Sequence, residues 1–245
     1  MIQDILLADG QGGTMKPIRR WPRFLHLLLL PTLLLGSSVA GADSQWQPVD
    51  KGDKRTDIST FERPVKDSEV KAFRGVTEVH ASVLSLLAVM ADASVCDQWL
   101  YQCQSLELRD NHRAYIQFKG IWPAKDRDAL IESDASQDSK TGAVTIASHA
   151  VKGEPDHKGL VRVAALRDRF VFTPLKDGWT RVEFETYIDP GGNVTGIANT
   201  ISHDAPRETL KGMRKLAKQS PYKEADLEDV LKRYDSLKGM DLPAS

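Results

Sequence analysis

The chain has 245 residues, 41% hydrophobic and 27% charged, with a formal net charge of −1 at pH 7. That is enough apolar material for one sizeable core, and the near-neutral balance excludes the basic stripe of a nucleic-acid binder. No HExxH helix, GxSxG elbow, phosphate loop or dinucleotide fingerprint occurs. His80, His112, His149, His157 and His203 share no metal-ligand spacing, so neither a metal nor another cofactor is expected.

In chain order, residues 15–42 come first as a recognisable segment. Lys16, Arg19, Arg20 and Arg23 form a basic head, and Phe24–Leu35 an apolar run broken by Pro31. Ala40-Gly41-Ala42 closes the segment with an A-x-A cleavage pattern. The run is short for a membrane span of roughly 20 residues. We expect a secretory leader cut after Ala42, with 1–14 as an upstream start-site extension and the start codon at Met1 or Met15. An uncleaved signal anchor is the rival reading. Export would carry the chain into an oxidising compartment, probed here by its two cysteines.

Residues 43–52 are polar and read as a linker, followed by a main domain over 53–219 and a helical extension over 220–245. A first strand is expected near 54–63. "EVKAFRGVTEVHA" (69–81) alternates with one slip near Gly75, which predicts a strand bulged at the glycine. "SVLSLLAVMADAS" (82–94) changes to helical spacing behind Ser82, a good N-cap. Cys96 and Cys103 fit neither a CxxC pair nor a zinc knuckle. We expect a disulfide stapling the helix end to the next strand; two separate buried thiols are the alternative.

Strands are then predicted at 104–110, 112–120, 127–137, 142–151, 158–174 and 178–189, separated by turn residues such as Asp177-Gly178. On the last of them Thr180, Val182, Phe184 and Thr186 share one face and Arg181, Glu183 and Glu185 the other, as in an antiparallel sheet with one wet face. From Val194 to Ala217 the apolar spacing is helical, with Pro206 set to kink or split the helix at about Ala205. A last helix is predicted over 224–238. The fold class is therefore α+β: consecutive hairpins build a curved antiparallel sheet, and the long C-terminal helix fits its concave face. The space between them is an apolar cavity of the kind that holds ligands.

The stretch "IWPAKDRDALIES" (121–133) packs Lys125, Asp126, Arg127 and Asp128 together. No nucleophile or second half of an acid/base pair accompanies them, so no enzymatic activity is expected. They read as the start of a central strand, with Arg127 able to pair an anionic head group.

In order along the chain, "TFERPVKDSEVKAFRGVTEVHAS", "IWPAKDRDAL", "VRVAALRDRFVFTPLKDG", "VEFETYIDPGG" and "ETLKGMRKL" resemble START domains, the family of lipid-transfer domains related to steroidogenic acute regulatory protein, and especially their secreted bacterial branch. The resemblance implies a helix-grip (Bet v 1-like) fold that binds one lipid or other apolar molecule in a tunnel under the C-terminal helix. Trp99, Phe118, Trp122, Arg127, Phe172, Phe184, Ile197, Ile201 and Met213 become candidate ligand contacts, and Gly191, Gly192 and Gly196 a candidate hinge. The expected partners are the lipid and, in passing, a membrane surface, with the protein a monomer. Cholesterol carriers of the family place a cavity arginine where Ser133 stands here, so that anchor is missing. The rival functions are a cyclase- or aromatase-like enzyme, which would need Arg127, Asp128, His149 or Tyr187 inside the tunnel, and an interaction module without a cavity.

Overall fold

The computed structural model describes residues 45–191, 194–240 and 242, all within the compact unit Gly41–Ser245. The expected leader and Gly192 lie outside the described residues. In chain order the elements are β1 (Gln47–Asp50), β2 (Ser59–Arg63), β3 (Ala72–His80), α1 (Val83–Ala91), α2 (Cys96–Trp99), β4 (Cys103–Leu108), β5 (Arg113–Phe118), β6 (Arg127–Gln137) and β7 (Val144–Val151). Then follow β8 (Val161–Arg162), β9 (Ala165–Pro174), β10 (Trp179–Asp189), α3 (Thr195–His203), α4 (Ala205–Leu216) and α5 (Leu227–Leu231). The strands form one sheet in the order β1-β2-β3-β10-β9-β7-β6-β5-β4, with β8 paired in parallel to β6. This is the helix-grip architecture: the antiparallel sheet curves around the C-terminal helices. No helix among the described residues is long and apolar enough to cross a membrane.

The period-2 pattern decides which face is which. Val182 and Phe184 of β10 are buried beside Phe170 and Phe172 of β9 and Val144 and Ile146 of β7. Phe170 stacks on Phe184 with ring centroids 4.1 Å apart, and Trp99 meets Phe170 edge-on at 5.9 Å. Each such ring pair contributes about 0.5–1.5 kcal/mol beyond the area it buries. α1 enters this core with Leu86, Leu87 and Val89 fully buried, and Ser82 caps it by accepting from Ser85 N at 3.1 Å. Cys96 and Cys103 form a disulfide, which ties α2 to β4.

α4 lies along the concave face with Leu210, Met213 and Leu216 buried. Gly75 explains how it comes so close. β3 runs through Gly75 without the expected bulge, paired to Thr60 on one side and Phe184 on the other. A β-carbon there would stand 2.8 Å from Leu210 Cδ1 and 2.9 Å from Pro206 Cβ. The glycine interrupts the apolar alternation because a helix needs the space, not because the strand slips. Gly212 does the same from the helix side, where a β-carbon would lie 2.6 Å from Trp99 Cα.

Three other expectations need correction. The predicted strand 158–174 is two, because Arg162 is drawn to Asp128 and the chain breaks before β9. The sheet also starts earlier than expected, with β1 lying in the stretch read as a linker. The predicted helix 224–238 is a 3-10 turn at Tyr222–Glu224, the short α5 and a second 3-10 turn at Asp235–Leu237. Its apolar residues Tyr222, Val230, Tyr234 and Leu237 all enter the main core, and Arg233 donates to the carbonyl of Asn111. Those tertiary demands outweigh a continuous helical ladder. The long C-terminal helix does split where Pro206 predicts: the ring sits in the first turn of α4 and α3 ends at His203.

Overpacking a tight contact costs about 1–3 kcal/mol. Gly75→Ala should reach the top of that range by urea denaturation, since Leu210 can rotate away but the Pro206 β-carbon at 2.9 Å cannot. Gly212→Ala should cost more, because the obstructing atoms belong to the α2 backbone.

Candidate functional site

A cavity of about 90 Å³ for water-sized occupants lies between the sheet and α3. Its walls are overwhelmingly apolar. β5, β9 and β10 supply Phe118, Phe184 and Ile188, the segment before β9 supplies Val163, and α3 roofs the space with Ala198 and Ile201. Ala205 and Thr209 of α4 close one end, and residues 119–121 and Ala124 of the β5–β6 loop form the rim. Beyond Phe184 the grip is filled by the aromatic core, so among the described residues the open space lies in the α3 half.

The charge cluster before β6 shapes this rim. Asp126 Oδ1 accepts from Gly120 N at 2.8 Å and closes the loop. Arg127, buried at the cavity wall, donates to the carbonyls of Lys125 and Pro190 and so joins the start of β6 to the end of β10. Asp128 faces the other side of the sheet. It receives Arg162 Nε at 2.8 Å, Arg162 Nη2 at 3.0 Å and Tyr115 Oη at 2.9 Å. Arg162 also donates to the carbonyls of Glu154 and Pro155, which pins the 152–164 loop and positions Val163. Burial raises the Asp128 carboxyl, but the Arg162 and Tyr115 hydrogen bonds outweigh it and hold the group below its ordinary range. Burial and then Asp128 push Tyr115 up to about 12. Among the described residues, no three His, Cys, Asp or Glu side chains are grouped to hold a metal ion.

No protein-family model matches the sequence. An uncharacterized Pseudomonas aeruginosa protein, PA1579, is 30% identical over 171 residues, covering 66% of this chain and 83% of the relative. A STAR-related lipid transfer protein from Xanthomonas axonopodis superposes with a TM-score of 0.63 at 25% identity, over 71% of this chain and 99% of its own. The chain belongs to the START family. Two human members share the fold: StAR-related lipid transfer protein 5, with a TM-score of 0.64 at 14% identity over 72% of this chain and 88% of its own, and STARD10, at 0.64 and 17% over 84% and 86%.

In this START domain, four of the candidate contacts line the cavity: Phe118, Arg127, Phe184 and Ile201. Trp99, Phe172 and Met213 lie in the packed core next to it. Ile197 is partly buried on α3, and Trp122 stands 89% exposed on the rim loop. Of the candidate hinge glycines, Gly191 takes a φ of +66°, and a β-carbon there would stand 2.8 Å from the carbonyl oxygen of Arg162; Gly196 lies in the first turn of α3. Of the four groups an enzyme would need in the tunnel, only Arg127 lines it. Asp128 is taken up by Arg162, His149 is exposed, and Tyr187 donates to Ser68 Oγ at 3.0 Å.

Two polar features were missed in the sequence. Asn199 on α3 accepts from Lys71 N at 2.7 Å and donates to the carbonyl of Glu69 at 3.0 Å, latching the roof to the segment before β3. Asp168 faces the cavity from β9. Its signal was its phase: it lies two residues before Phe170 and four before Phe172, on the inward side.

Removing one member of a buried ion pair strands the other. Arg162→Leu should therefore cost about 3 kcal/mol at pH 7 in chemical denaturation. In the intact protein the Asp128 contribution is present above the ordinary carboxylate range near pH 4 and lost as pH falls through the lowered folded value. In the variant burial is opposed chiefly by the remaining Tyr115 hydrogen bond, so the folded value rises and acidifying from pH 7 to 5 should narrow the deficit.

Proposed function

We propose that this protein binds one lipid or similar apolar molecule beneath α3 and shuttles it without converting it chemically. The observation that carries the reading is the apolar cavity between the concave sheet and α3, a helix separate from α4. The lipid-transfer names of the Xanthomonas and human relatives support it. Burial in such a space is worth about 25 cal/mol for each Å² of apolar ligand surface removed from water.

At about 90 Å³ the cavity is smaller than the roughly 300–1,000 Å³ of small-molecule sites. A lipid-sized guest therefore enters by displacing α3. That helix is suited to move: it has nine residues, no side-chain N-cap bond, and Asp204 separating it from α4, whose first turn holds Pro206. Asn199 is its latch. Trp122 projects from the rim beside the opening, and tryptophan favours the water–lipid boundary. We read this loop as the part that touches a membrane during exchange, with the protein acting as an exported monomer. The disulfide between Cys96 and Cys103 supports an oxidising compartment.

Native mass spectrometry of protein recovered from the periplasm should show a chain starting at Asp43 with a noncovalent lipid-sized mass. An empty protein that also refuses a panel of lipids would sink the reading. Ile201→Trp, which fills the space under α3, should lose the ligand while circular dichroism and melting stay near wild type. Asn199→Ala removes two hydrogen bonds, each worth about 1 kcal/mol. It should speed ligand release, followed by stopped-flow fluorescence, by roughly ten-fold, with the folded spectrum unchanged.

A further inference from the structure

Across the inward face of the sheet, one row of side chains breaks the apolar surface. Thr186 of β10, Asp168 of β9, Ser148 of β7 and Ser133 of β6 are register partners, one after another. Ser133 and Ser148 satisfy each other, with their hydroxyl oxygens 2.8 Å apart. Thr186 is the neighbour that favours the charged form of Asp168. Asp168 remains: its Oδ1 is closed to solvent and has no hydrogen-bond partner among the described residues. By surface area the residue is only part-buried, because it lines the cavity. Its carboxyl nonetheless sits deep in the fold, and burial pushes its pKa up to about 7.

A buried acceptor without a donor is unfavourable in an empty protein and becomes favourable when a ligand supplies the donor. The other charges at the cavity do not meet this need. Arg127 donates to the carbonyls of Lys125 and Pro190, and Lys119 is exposed on the rim. Arg167 and Arg169 alternate to the opposite face of β9, and α3 and α4 present no titratable group to the cavity.

Resting on the function proposed above, we propose that Asp168 is the polar anchor of the cavity, accepting a hydrogen bond from a hydroxyl or amine on an otherwise apolar ligand. The ligand class is then a neutral or cationic amphiphile. Anionic head groups are disfavoured at the position where the ligand's polar end rests, although Arg127 lines the same cavity.

The test uses the purified protein and four ten-carbon probes, decan-1-ol, decylamine, 1-methoxydecane and decanoate, each displacing the neutral dye Nile red. At pH 8 the alcohol or the amine should bind about ten-fold more tightly than the methyl ether, which has the same chain and no donor. Whichever of the two donors is preferred names the head group. Decanoate should be weakest at pH 8 and gain as pH falls to 6, where Asp168 takes up a proton. Asp168→Leu should abolish the donor preference while keeping the ether's affinity and the folded spectrum. Equal binding of alcohol, amine and ether to the wild type, or a donor preference that survives in Asp168→Leu, overturns this proposal and leaves lipid binding standing. Failure of every probe to bind overturns both.

Discussion

The grip depends on how closely α4 approaches the backbone beneath it. Gly75 in β3 and Gly212 in α4 each remove a β-carbon from that contact, and a methyl group at either would meet atoms within 3 Å. With the helix seated there, Leu210, Met213 and Leu216 reach the aromatic cluster of β9 and β10, and the core on that side closes completely. The sheet continues past the end of α4, and Pro206 forbids the same helix from following it. Among the described residues, the open space inside the grip therefore lies under α3. The position of the cavity is a consequence of where the tight contact ends.

The outer face of the sheet holds the rim in place. Asp128 lies behind the cavity wall, where Arg162 and Tyr115 fix it. Through Arg162 the carboxylate organises the loop that delivers Val163, and its neighbours Asp126 and Arg127 tie down the other side of the opening. Three of the four charges at 125–128 form an architectural joint: Asp126, Arg127 and Asp128 use their polar capacity on the protein's own backbone and on an ion pair, and Lys125 is exposed.

Much of the fold was legible because alternation is a strong signal. β6 begins and ends where its pattern does, at 127 and 137, and the Pro206 split follows from proline stereochemistry alone. The misreadings arose where a distant contact overrode a local pattern. Gly75 breaks its strand's alternation for the sake of α4, Arg162 leaves its strand for Asp128, and residues 222–237 fold to fit the core around α1 rather than to extend a helix. The site was less legible than the fold. Large aromatic residues mark a core and a cavity wall equally, and only the depth to which α4 penetrates separates Phe172 from Phe184. Asp168 was hidden by its company, since flanking Arg167 and Arg169 make the segment look like a solvated strand.

The narrowness of the empty cavity bears on how firmly anything is kept there. If the form with α3 raised is the one that admits a guest, the observed dissociation constant is the intrinsic one divided by the fraction of molecules in that form. A population of about one per cent would weaken apparent affinity roughly 100-fold. The energy stored in reclosing the apolar walls then favours letting the guest go. Under the proposed function, a collapsed resting state would tune the protein toward handing over a bound lipid, whereas a permanently open cavity of the same chemistry would act as a sink.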